Sequence, residues 1–225
     1  MSDTTIVLLF IKAPVRGQVK SRLASAIGDE TAVELYRNFI LDILDSIERS
    51  GHTLRLFVHP PEGVEFVSSW LGKERVCLPQ TGSDLGERME HALRQAFSEG
   101  WSRAVLIGSD LPDLPPAIIS EAFTALDESD AVIGPAIDGG YYLIGFNSRL
   151  FPQRLFHAIE WSTSGVFNRT LELLRKASLR VHVMPQWHDV DTIDDLRALF
   201  ERGQTAGSEE SRTMAYLRLH KDMLF

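Results

Sequence analysis

Residues 6–11 read IVLLFI and run directly into Lys12, Ala13, Pro14, Val15, Arg16 and Gly17. Six apolar residues without alternation suit a strand covered on both faces, and the Pro and Gly that follow close it with a loop. Strands of this kind belong to parallel sheets, so the stretch predicts an α/β domain. Working outward, 30–50 places Tyr36, Phe39, Ile40, Ile43, Leu44 and Ile47 on one helical stripe, with Asp29 expected as N-cap and Gly51 as stop. The alternation continues with strand 54–58, a short helix at 66–71, strand 75–78, helix 85–99, strand 104–108, helix 116–126, strands 131–133 and 141–146, helix 165–176, strand 180–184 and helix 193–202. This order predicts one domain over 1–203, a mostly parallel sheet with helices on both faces, and ligands outside the carboxyl ends of the strands. A linker-like stretch at 203–210 leads to a C-terminal extension (204–225), expected to be helical and to lie against the domain or a second copy of the chain.

The 225-residue chain is 44% hydrophobic, enough for one sizeable core, and its net charge of −8 argues against a general nucleic-acid binder. The opening MSDTTIVLLFIKAP has an acid before a short apolar run that ends at Lys12, which fits neither a signal peptide nor a membrane span. A cytoplasmic location is expected. Cys77 is the only cysteine, and its apolar neighbours Val76 and Leu78 suggest burial rather than nucleophilic use. Between Thr4 and Gly28 there is no acid, while Lys12, Arg16, Lys20 and Arg22 all fall inside that window.

Four constellations follow strands. Lys12, Pro14, Arg16, Gly17, Lys20 and Arg22 suit convergence of amides and cations on phosphate oxygens, although a solvated basic turn reads the same way. In AVLIGSDLPDLPP (104–116) a strand delivers Asp110 to its carboxyl edge, with Asp113 close behind. Two carboxylates suit a hard divalent cation such as Mg²⁺ or Mn²⁺, which fills its remaining positions with water and phosphate. Helix capping explains Asp113 poorly, because Pro115 and Pro116 have no amide hydrogen to donate. In GPAIDGGYYLIG (134–145) Gly139 and Gly140 allow close approach of a substrate beside Asp138, Tyr141 and Tyr142, but a plain hairpin accounts for Asp-Gly equally well. In WHDVDTIDD (187–195) Thr192 and Asp195 form a capping box, leaving Asp189 and Asp191 on one side of an extended segment and His188 on the other. Elsewhere, Asp84 and Glu87 match a capping box, Arg88 stands beside it, and Ser162 or Thr163 is expected to cap the helix at 165–176.

With these residues in place, the chain resembles the DUF2064 family of GT-A-type glycosyltransferases, within the nucleotide-diphospho-sugar transferase superfamily, and more distantly the 2-phospholactate guanylyltransferases. The resemblance runs over about 6–200 and is carried by the first loop, by QTGSDLGERM (80–89), by IGSDLPDLP and above all by GPAIDGGYYLIG. It implies phosphate and nucleotide contacts from Lys12, Pro14, Arg16, Gly17, Lys20, Arg22 and Arg88. Metal coordination by Asp110 is implied, with Asp191 as a second carboxylate, along with a sugar or acceptor pocket at Asp138 to Tyr142. Asp110-Leu-Pro-Asp113 stands where such glycosyltransferases commonly show Asp-x-Asp. The leading expectation is metal-dependent glycosyl transfer from a nucleotide-diphospho-sugar to a small-molecule acceptor, with Asp138 as sugar contact or base. The alternative is nucleotidyl transfer from a nucleoside triphosphate with release of pyrophosphate, in which Lys20, Arg22 and Asp191 matter most. A catalytically silent nucleotide-binding module is the third.

Overall fold

The computed structural model of the chain describes residues 4–205 and 211–225. In chain order the elements are β1 (Thr5–Lys12), α1 (Ser21–Ile27), α2 (Asp29–Arg49), β2 (Thr53–His59), α3 (Val64–Leu71), β3 (Cys77–Pro79), α4 (Leu85–Ser98), β4 (Arg103–Gly108), α5 (Pro116–Glu128), β5 (Ala131–Pro135), β6 (Tyr141–Asn147), α6 (Val166–Lys176), β7 (Val181–Val183), α7 (Ile193–Thr205), α8 (Arg212–Leu219) and α9 (Lys221–Leu224). The strands form one seven-stranded sheet in the order β3-β2-β1-β4-β6-β5-β7. All neighbours run parallel except β6, which is antiparallel to both β4 and β5.

The unbroken apolar run of β1 is explained by its central position. Val7, Leu9 and Ile11 enter a core with Phe39, Ile43 and Leu196, while Ile6, Leu8 and Phe10 enter a second core with Met89, Leu93 and Leu174. Alternate side chains point to opposite faces, and helices cover both, so neither set is polar. The chain steps from β1 to β2 and β3 on one side and to β4 on the other. The carboxyl ends of β1 and β4 therefore border a topological switch point, where an open α/β sheet leaves a crevice for ligands.

Several local expectations need correction. Asp29 is the first residue of α2, and the cap position is Gly28, with φ 83°. No side chain caps α6, whose preceding residue is Gly165, and Ser162 instead adopts φ 64°. The start of the expected linker at 203–210 is helical, because α7 continues through Gly203 to Thr205; the rest of that stretch, 206–210, lies outside the described residues. The third strand is displaced to Cys77–Pro79: the Arg75 amide is used in a turn, donating to the Gly72 carbonyl, while its side chain bonds the Leu71 carbonyl and Glu48. Cys77 is half-buried against the core rather than enclosed in it. Ser211 Oγ accepts from Met214 N at 3.2 Å, and Asp42 on α2 accepts from the amides of Arg212 and Thr213, both at 2.9 Å. Those amides are orphan donors of the first helical turn, so the buried Asp42 carboxylate fixes α8 to the domain. Met214, Leu217 and Leu224 then complete the core beside α2 and α7.

Candidate functional site

Lys20 lies between the first loop and α1 in a left-handed conformation, φ 51° and ψ 43°. That backbone is costly for a residue with a Cβ, by ~1 kcal/mol, and tends to persist only where surrounding contacts over-determine it. The contacts are specific. Lys20 Nζ lies 2.6 Å from Asp110 Oδ1, 2.6 Å from Asp191 Oδ1 and 2.7 Å from the carbonyl oxygen of Val190. The rings of Tyr36 and Phe39 lie beneath it, with centroids 5.7 and 5.8 Å from the nitrogen. The Lys20 side chain is 4% exposed, whereas those of Asp110 and Asp191 are 42% and 37% exposed. Burial opposes the Lys20 charge, yet Asp110 and Asp191 hold its pKa above the ordinary lysine value. For Asp191, burial is outweighed by Lys20, Arg22 and Lys12, and its pKa is lowered.

Each partner is delivered by a defined piece of backbone. Asp110 follows β4 by two residues, and its carbonyl accepts from Val190 N at 2.9 Å, stitching the segment after β7 to the end of β4. Asp195, in the first turn of α7, takes the amides of Asp191 and Thr192 on Oδ2 at 3.1 and 2.8 Å, and Thr192 Oγ1 accepts from Asp195 N at 3.2 Å. The expected capping box thus also aims Asp191. Tyr36 of α2 joins the two strand ends from below: its hydroxyl accepts from Lys12 N at 2.9 Å and shares a 2.7 Å hydrogen bond with Ser109 Oγ. Burial, and then the charge of Asp110, raises the Tyr36 pKa, so the hydroxyl keeps its proton.

Asp189 belongs to the same acidic edge. Its pKa is pushed up to about 6 by burial, and then by the charges of Asp138, Asp191 and Asp110. Asp138 is exposed on the β5–β6 turn, where its Oδ1 accepts from Gly140 N at 2.8 Å. Gly139 has φ 92°, and a Cβ there would lie 2.2 Å from the Ser164 carbonyl oxygen. Its own carbonyl accepts from Phe167 N of α6 at 2.9 Å. The turn is therefore fixed against the segment leading into α6.

The remaining expected residues divide clearly. Lys12 and Arg22 are exposed and bear electrostatically on Asp191. Arg88 and Lys12 add to burial in lowering the pKa of His59, the residue paired with Lys12 in the β1–β2 register. Arg88 Nε also donates to the Gly82 carbonyl at 3.1 Å. Gly17 turns the first loop with φ 73°, and Pro14 is buried at its start. Arg16 pairs with Glu30 at 2.5 Å on the exposed surface. Tyr141 and Tyr142 point to opposite cores: the Tyr142 hydroxyl donates to the Pro185 carbonyl at 3.0 Å, and Tyr141 packs edge-on to Trp161. Asp113 does not join the acidic edge. Its Oδ1 accepts from Trp187 Nε1 at 3.1 Å and its Oδ2 pairs with Arg202 at 3.0 Å, so it ties the loop before α5 to α7. A cavity of about 950 Å³ opens on that side, bordered by Asp113, Trp187, His188 and Arg202, away from Lys20. Among the described residues no group of three or more His, Cys, Asp or Glu side chains could hold a metal ion by itself, and no helix is long and apolar enough to cross a membrane.

The profile of a family described as "Uncharacterized protein conserved in bacteria (DUF2064)" matches residues 43–163, more than half of the chain. The chain belongs to the DUF2064 family. A solved structure from Desulfovibrio desulfuricans G20, provisionally described as a nucleotide-diphospho-sugar transferase, is 40% identical to this family member. It superposes with a TM-score of 0.95 over 100% of this chain and 97% of that one. A 2-phospho-L-lactate guanylyltransferase from Archaeoglobus fulgidus is 27% identical over 194 residues, 85% of this chain and 82% of its own. A cytidylyltransferase from Leptospira borgpetersenii shares the fold, with a TM-score of 0.59 at 12% identity over 99% of this chain and 97% of that one.

Proposed function

We propose that this DUF2064 member is a nucleotidyltransferase that joins the nucleotidyl group of a nucleoside triphosphate to a small phosphorylated acceptor. The observation that carries the reading is the convergence of Asp110 and Asp191, from separate strand ends, on one point at the switch-point crevice, beside the exposed cations Lys12 and Arg22. An acceptor oxyanion attacks the α-phosphorus, the bond to the β-phosphate bridging oxygen breaks with its electron pair, and pyrophosphate leaves. Charge accumulates on the departing diphosphate, where fixed cations stabilise it most. Lys12 and Arg22 are suited to this, and Arg88, whose charge bears on His59 as that of Lys12 does, is a further cation available to the nucleotide.

The donor set fits a divalent cation. Asp110 and Asp191 each give Oδ1 to Lys20, and both carboxylates are more than a third exposed, so Oδ2 of each remains for Mg²⁺ or Mn²⁺ with water and phosphate oxygens completing the shell. When bound, such an ion supplies charge neutralisation and alignment of the phosphates. Asp113, occupied by Trp187 and Arg202, is not part of this set.

Glycosyl transfer, the leading expectation from sequence, takes second place: its support is the 40%-identical relative from D. desulfuricans, whose description is provisional. The guanylyltransferase relatives span most of the chain, and nucleotidyl transfer needs no sugar pocket at Tyr141 and Tyr142, whose side chains are already engaged. The test is incubation with Mg²⁺ or Mn²⁺ and panels of nucleoside triphosphates, nucleotide-diphospho-sugars and phosphorylated acceptors. Acceptor-dependent pyrophosphate release supports nucleotidyl transfer; release of nucleoside diphosphate from a sugar nucleotide favours glycosyl transfer. Nucleotide binding without either product points to a silent binding module.

A further inference from the structure

The first loop was read from sequence as a set of phosphate-binding cations, but one of its members is used differently. An ammonium group has three hydrogens to donate. Lys20 Nζ donates to Asp191 Oδ1 at 2.6 Å and to the Val190 carbonyl at 2.7 Å and pairs with Asp110 Oδ1 at 2.6 Å, so its charge and its donors are directed at the protein's own oxygens. The nitrogen sits on the protein side, over the faces of Tyr36 and Phe39, while the carboxylates it holds are the exposed members of the trio. The left-handed backbone at Lys20 directs the side chain inward, and the next basic residue, Arg22, stays exposed.

We propose that Lys20 is a resident counter-ion of the acidic edge, a positioning residue that holds Asp110 and Asp191 together from inside so that their outer oxygens face an incoming divalent cation. Phosphate contact then falls to Lys12 and Arg22. The role rests on the nucleotidyltransferase reading only for the use made of the outer cation; the bracing itself does not. Without Lys20 two carboxylates would face each other at close range, and each would need another cation or a proton.

The test is thermal unfolding of the full-length protein, free of nucleotide, in three forms: wild type, Lys20→Met, and Lys20→Met combined with Asp110→Asn and Asp191→Asn. In chelator, Lys20→Met should melt roughly 3–8 °C below wild type, less than the loss for a fully enclosed charge cluster because solvent reaches both carboxylates. The triple variant should recover at least half of that loss without any metal, because the repelling charges are gone. Millimolar Mn²⁺ should raise Lys20→Met by several degrees, more than it raises wild type and more than NaCl of equal ionic strength does. Three results would overturn the assignment: an undiminished midpoint for Lys20→Met, a triple variant as unstable as the single one, or an Mn²⁺ response in Lys20→Met no larger than that of wild type. Absence of transferase turnover in wild type would sink the proposed function and leave these midpoints unaffected.

Discussion

Asp110→Asn and Asp191→Asn should each lower acceptor-dependent pyrophosphate release by ~10²-fold or more, the scale seen when a preorganised electrostatic group is removed from a reacting centre. Asp113→Asn should cost far less turnover, because its oxygens serve Trp187 and Arg202 instead. Steady-state kinetics on the three variants separates the acidic edge from its neighbour in sequence. Asp189 gives a pH prediction. Its folded pKa of about 6 lies above the ordinary value of 3.8, so between those values the folded state holds more protons than the unfolded chain. Stability from this group is full below about pH 4 and declines as pH rises to about 6, by on the order of 1–3 kcal/mol. Asp189→Asn should flatten that slope, so thermal midpoints measured from pH 4 to pH 7 in chelator should show the variant gaining on wild type as pH rises. At this scale the sequence was legible where a residue's task is local. The Thr192–Asp195 box and the placement of Asp189 and Asp191 on one side could be read from spacing. The partners of Asp113 could not, since they lie 74 and 89 positions away, nor could the three acceptors that surround Lys20.

Elements meet at the site through two further contacts. Tyr36→Phe removes the hydroxyl that α2 places between the ends of β1 and β4, leaving Lys12 N without its acceptor; a loss of ~1–3 kcal/mol is expected by denaturant unfolding. Asp42→Ala removes the acceptor for two amides at the start of α8, and the expected outcome is selective proteolytic release of the C-terminal segment under conditions where the rest of the domain stays protected. Gly139→Ala meets both an unfavourable φ of 92° and the Ser164 carbonyl, so the β5–β6 turn must move if the protein folds at all. The stripe of α2 and the apolar runs of β1 and β4 were clear in the sequence because burial dictates every third and fourth residue of the helix and nearly every residue of strands covered on both faces. Helix α1 was not: it has seven residues and buries only Leu23, too little for a pattern to register. The direction of β6 against β5 was legible only as the hairpin alternative at Asp138-Gly139, and its antiparallel pairing with β4 was not legible at all, since a strand buried on both faces reads the same whichever way it runs.

On the scale of the whole molecule, the alternation of strands and helices sufficed to predict a mostly parallel sheet, and the acidic edge lies at the β1/β4 switch point. The order of strands, and hence which loops become neighbours, depended on long-range packing. An acidic chain thus keeps its basic first segment beside its most acidic edge, an arrangement suited to a phosphate-rich substrate bridged by a cation. The most direct test of that arrangement is an anomalous difference map from crystals grown with Mn²⁺ and a non-hydrolysable nucleoside triphosphate analogue. The expected result is one manganese peak within coordination distance of both Asp110 and Asp191, with the nucleotide's phosphates between it and Lys12 or Arg22. Manganese ordered elsewhere, or a nucleotide bound away from these carboxylates, would contradict the account.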